Sequence, residues 1–168
     1  MCLGLSAFKH LSDLDGDRGQ GGRSRISAMF PIGFFAGAVL IFLGATAGLG
    51  IASLAKWWQH RSQDFPEKKV TTHIVLQSTS IVMWVVFMVF MQPWIAWLTF
   101  ATITVGQVFG DLLMFSSYRA RHRVPKAGSY VAVAKDVLSF SRPIPALHAI
   151  IGALGWFGMF AVCLWSTL

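Results

Sequence analysis

Charge is what this sequence has least of. Only 12% of its 168 residues are Asp, Glu, Lys or Arg, while 55% are hydrophobic; a soluble domain carries about 25% charge. A water-facing surface cannot be dressed with so few, which excludes an ordinary cytosolic enzyme and a disordered tail. Cysteine is nearly absent too. Cys2 and Cys163 stand at opposite ends of the chain, which excludes a disulfide scaffold and a Cys-based metal cluster. No nucleophile constellation, phosphate-cradling glycine loop or Cys/His cluster occurs, so no independent catalytic activity is expected. No short apolar run with a cleavage site precedes the first hydrophobic block, so the N-terminus does not read as a secretory signal.

What is present is apolar sequence in long blocks. Ile26 to Ala55, Val70 to Gly110 and Pro143 to Leu168 contain no Asp, Glu, Lys or Arg. About 20 residues at 1.5 Å each cross a bilayer core. The first and last blocks each fit one crossing. The middle block is too long for one and is broken at Gln92-Pro93, because proline removes a donor and biases its predecessor away from helix. Four spans follow, at about 27–54, 70–91, 94–118 and 144–167. Open sheets cannot lie in lipid, and the runs do not alternate as barrel strands do. The expected architecture is therefore all-α: an integral membrane four-helix up-down bundle. Gly33/Gly37, Gly44/Gly48 and Gly106/Gly110 lie at the four-residue spacing that lets membrane helices approach closely.

Basic residues orient the bundle. Lys56, Arg61, Lys68, Lys69, Arg119, Arg121, Arg123, Lys126, Lys135 and Arg142 fall in the 56–69 and 119–142 loops. Lys9, Arg18, Arg23 and Arg25 fall in the tail on the other side. That excess places the loops on the cytoplasmic, matrix or stromal side of an energy-transducing membrane. The net charge of +7 is then a topology and anionic-lipid signal, not a nucleic-acid one, since no basic folded module remains outside the spans. Residues 1–25 read as a polar N-terminal tail, and 12–17 fail the calcium-loop pattern because Ser24 stands where a glutamate is required. In the 119–142 loop, Tyr130, Val133, Val137 and Phe140 form a stripe suited to a short interfacial helix. Trp57, Trp58, Trp94, Trp97 and Trp165 lie near span ends, as an aromatic belt does.

Ionisable side chains at membrane depth usually have a role. Three occur: His73, Asp111 and His148. Counted from the nearest basic residues, all three lie about 6 to 12 Å below the same surface. His73, Gln77 and Ser80 share one helix face; His148, Gly152 and Gly155 share another, with room beside the imidazole for a helix backbone or a flat macrocycle. The expected cofactor is a b-type haem with His73 and His148 as axial ligands. Ser80 or Gln77 would orient an imidazole or meet a propionate, and Arg142 or Lys69 would pair with propionates at the surface. The competing readings are a chlorophyll-like pigment on one histidine, or no cofactor at all. In the last case His148 bonds to Asp111 or Gln107 as a packing contact and His73 reaches headgroups. Asp111 is expected to pair with a histidine or with Arg119, or to snorkel to the surface.

Thr72-His73-Ile74-Val75-Leu76-Gln77 resembles the histidine helix of cytochrome b561-type membrane domains, where glutamine follows an axial histidine by four residues. His148-Ala149-Ile150-Ile151-Gly152 looks like their His-x-x-x-Gly helix. In that family histidines on alternate helices pair around b haems, one pair per leaflet. Here there is one pair, so the resemblance implies one-sided electron transfer or a structural haem, with a quinone or small redox donor as partner. The alternative is a non-catalytic accessory subunit of a larger respiratory or photosynthetic complex, held among other membrane subunits. A transporter is disfavoured: no inverted repeat is evident, and the first and last spans carry no charge.

Overall fold

A computed structural model of the chain describes residues 4–59, 66–126 and 128–168, with side chains from residue 31 onward. Five helices occur in order: α1 (Gly4–Gln59), α2 (Glu67–Phe90), α3 (Pro93–His122), α4 (Tyr130–Leu138) and α5 (Pro143–Thr167). Four helical stretches are long and apolar enough to cross a membrane: Pro31–Gln59, Glu67–Phe90, Pro93–His122 and Pro143–Thr167. All run past the expected limits at one or both ends, because a helix keeps its backbone hydrogen bonds in water as well as in lipid. The same continuity extends into residues 1–25. From Gly4 onward they carry helical backbone that continues into the first span.

The Gln92-Pro93 break is a two-residue reversal. Met91 takes a left-handed conformation (φ 51°) and its N–H donates to Phe87 O. Gln92 is extended, as the residue before proline must be, and Pro93 opens α3 at a position that has no intrahelical donor to lose. Ser129 caps α4, its Oγ accepting from the Ala132 N–H at 3.3 Å. Val133 and Val137 of α4 are buried, whereas Tyr130 and Phe140 are about half exposed, so only the middle of the expected stripe is covered. Phe140 lies beyond the helix end with φ 56°.

α1 packs mainly on α5 and α2 on α3; α3 also meets α5, and α1 meets α2 less extensively. Glycines record the registers. Added Cβ atoms at Gly158, Gly155, Gly152 and Gly50 would meet Val39, Leu43, Thr46 and His148, so α5 numbers fall as α1 numbers rise. Gly106 and Gly110 face Gln77 and His73 in the same reversed sense, and Gly33 and Gly37 face Met91 and Met88. Among the described residues α2 and α5 do not pack on each other, nor do α1 and α3. The four long helices thus form a ring with α2 and α5 on one diagonal.

Half of the bundle interior is filled with large side chains. Ala36, Val39, Leu43, Trp84, Phe87, Ile95, Ala96, Ile103, Met159, Val162 and Cys163 make one buried cluster. Trp84 donates Nε1–H to Ala36 O at 3.0 Å, and Trp156 donates to Thr104 Oγ1 at 3.0 Å. Each indole thereby buries its polar edge satisfied. Trp97, expected in the belt, instead packs edge-on against Phe100 and Phe160 in the α3–α5 seam. Trp58, Trp94 and Trp165 are exposed, as belt residues are. Phe34, Val82, Val89 and Phe157 cover the outside with apolar surface, a distribution that suits lipid as the surrounding solvent.

Candidate functional site

The other half of the interior is built around two histidines. His73 on α2 and His148 on α5 approach across the diagonal, ring centres 6.4 Å apart and planes at 66°. His73 Nδ1 lies 2.9 Å from Gly106 O, and His148 Nδ1 lies 2.8 Å from Thr46 O. A carbonyl can only accept, so Nδ1 carries a proton in each ring, and Nε2 is the nitrogen left to meet another group. Neither Nε2 has a hydrogen-bond partner among the described residues.

The two halves of this arrangement are built alike. In an α-helix the carbonyl of residue i accepts from the N–H of residue i+4, which makes Gly50 the partner of Thr46 and Gly110 the partner of Gly106. Those glycines are where the imidazoles lie. A Cβ at Gly50 would come within 3.0 Å of His148 Cε1, and one at Gly110 within 3.0 Å of His73 Cε1. Absence of a side chain at i+4 lets each ring edge reach a carbonyl already engaged in its own helix. The pattern of glycine helix then histidine helix occurs twice in chain order, α1–α2 and α3–α5. Each histidine crosses to the glycine helix of the other pair.

The remaining candidate residues fall at different places. Ser80 is fully buried but donates to Leu76 O of its own helix at 2.8 Å, so it orients neither imidazole. Gln77 donates to Gln107 Oε1 at 3.4 Å and closes the histidine layer from below. Gly152 and Gly155 are buried against Thr46, Leu43 and Phe42 of α1. The room expected beside the His148 helix at these two positions is taken by α1, chiefly its Thr46, Leu43 and Phe42 side chains. Asp111 is exposed and makes no hydrogen bond or ion pair among the described residues. It follows Gly110, the seat of His73, and its side chain is turned about 100° further round the helix. The expected pairing of His148 with Asp111 or Gln107 is not found, because Thr46 O is within reach and no intervening side chain is needed. Arg142, at the N-cap of α5, donates Nη1–H to Ser117 Oγ at 3.3 Å, while its buried Nε has no partner.

The residues that hold the rings are backbone groups of Thr46 and Gly106 with Gly50 and Gly110. Only Gly106 and Gly110 stand out in the sequence, as a close-approach pair. Thr46 and Gly50 share the same four-residue offset, but a main-chain acceptor leaves no residue-type signature. No group of three or more His, Cys, Asp or Glu able to hold a metal ion occurs among the described residues. No protein-family model matches the chain, and no curated protein or solved structure is similar to it.

The donor set can be tested against a haem. Metal–imidazole bonds of about 2 Å, plus about 1.1 Å from nitrogen to ring centre, put two axial rings about 6 Å apart, centre to centre. The observed 6.4 Å matches that separation, which is also that of two rings in edge contact. Nδ1–H bonded to a carbonyl is the arrangement that fixes the tautomer and orientation of metal-ligating histidines. Two protein ligands hold a bare ion poorly, whereas a porphyrin brings four nitrogens of its own.

Proposed function

We propose that this chain is a membrane-embedded b-type haem protein, a four-helix up-down bundle in which His73 and His148 are the axial ligands. The observation that carries the reading is the pair of imidazoles 6.4 Å apart, each with Nδ1 committed to a main-chain carbonyl. Reversed registers at the α1–α5, α2–α3 and α1–α2 contacts support the up-down arrangement. When bound, the haem supplies one-electron chemistry. The chain's own contribution is to hold two imidazoles at fixed orientation, with Gln77 and Gln107 below them and Lys69 on the basic side for a propionate; Arg142, expected there too, is engaged with Ser117. Burial of that layer in an apolar bundle tunes the iron, as axial ligation and local dielectric do generally. With haem bound, electron exchange would take place at the surface nearest the histidines, with a quinone or a small soluble donor, and the chain would serve as a one-haem electron-transfer or anchor subunit. Basic loops on the cytoplasmic, matrix or stromal side of an energy-transducing membrane complete this reading.

The test is optical. The protein purified from haem-supplied cells should show sharp dithionite-reduced bands that disappear in His73→Ala and in His148→Ala while helicity persists. A colourless wild-type protein of full helicity would overturn the proposal.

A second reading, a non-catalytic subunit of a larger respiratory or photosynthetic assembly, is favoured by Asp111, since a carboxylate on the outward face of a span is costly in lipid. A neighbouring subunit would cover it. A stoichiometric complex in mild detergent, lost in Asp111→Leu, is expected; a stable lone monomer in both proteins would count against it.

A further inference from the structure

Where α3 ends and α5 begins, two guanidinium groups converge on one serine. Arg142 Nη1 donates to Ser117 Oγ at 3.3 Å, and Arg121 Nε donates to Ser117 O at 3.3 Å. One acid serves this cluster, and it is already occupied: Asp136 receives two bonds from Arg121, and His122 Nε2 lies 3.2 Å from Asp136 Oδ1. Arg142 is left with a neutral hydroxyl, and its buried Nε has no acceptor. Burial and the charge of Arg121 both disfavour its cationic form, opposed by Asp136. A buried donor without a partner in a native protein calls for an unseen water or ion, and here the surrounding charge selects an anion.

We propose that Arg142, beside Ser117 and with the charge of Arg121 near it, is the seat of one anionic-phospholipid phosphate. Guanidinium groups present a fork that matches a phosphate's oxygens. The N-terminal end of α5 adds a positive partial charge. The position also fits: the cluster lies where the apolar run of α5 starts and the basic end of α3 finishes, which is headgroup level, and basic pockets between membrane helices hold such headgroups. This inference does not depend on haem being bound.

The experiment is native mass spectrometry of the full chain released from nanodiscs of phosphatidylcholine, with or without phosphatidylglycerol. Wild type should retain one phosphatidylglycerol that saturates at one per chain. Arg142→Gln should retain it about tenfold more weakly, as the loss of a charge-assisted bond implies, with Arg142→Lys in between. Equal retention by folded wild type and Arg142→Gln would overturn the proposal. Should Arg142→Gln not fold, the wild type alone decides: a graded, unsaturating adduct series overturns it and a single saturating adduct supports it. Loss of haem bands in folded Arg142→Gln with lipid retention unchanged would also overturn it, assigning Arg142 to a propionate.

Discussion

At Gly50 and Gly110 a single methyl group would press on an imidazole. The Cε1 atoms of His148 and His73 lie 3.0 Å from where those Cβ atoms would be, and the rings are held by carbonyl bonds that cannot lengthen freely. Gly50→Ala and Gly110→Ala should therefore each shift or abolish the reduced haem bands. Gly44→Ala, with nothing within 4 Å, should leave the spectrum unchanged. Gly106→Ala is expected to be milder than Gly110→Ala, because its closest neighbour is the movable end of Gln77. Trp84→Phe removes the bond to Ala36 O and should cost about 1 kcal/mol in a detergent unfolding titration, the usual scale of interhelical hydrogen bonds in membranes.

Among the elements, α4 is held by few contacts and one ion cluster. Val133 and Val137 bury its inner face, and Asp136 ties it to Arg121 and His122 at the end of α3. Burial alone would raise the Asp136 carboxyl, but hydrogen bonds from Arg121 and His122, with their charge, outweigh it and hold it below the usual carboxylate range. A carboxylate depressed in the folded state stabilises fully above its unfolded value of about 4 and loses that contribution as pH falls through the lower folded value. Docking of α4 should thus weaken only in that acid window. Protease cleavage within 124–140 should rise there in wild type, and in Asp136→Asn should already be fast at neutral pH. Cleavage of wild type independent of pH across that window would sink the idea of an ion-held strap.

Taken whole, the molecule divides its interior into a polar layer holding the histidines and an aromatic half packed with Trp84, Phe87, Ile103 and Met159. Among the described residues the filled half holds no histidine. Haem quantified against protein should give one per chain, and a value near two would overturn this division of the interior.

Helices and spans were legible from the sequence because membrane insertion imposes length and apolarity residue by residue. Ile26 to Ala55 and the Gln92-Pro93 break carry those signals locally. His73 and His148 stood out for the same reason, as polar groups in apolar runs. What the tertiary structure alone decided is how they are used. Helix rotation turned Asp111 outward, aimed Ser80 at its own backbone, set Gly152 against α1, and offered the carbonyls of Thr46 and Gly106 to the two rings. A main-chain acceptor is the same group in every residue, and helix rotation is set by packing among four neighbours, so neither could be written in the local sequence.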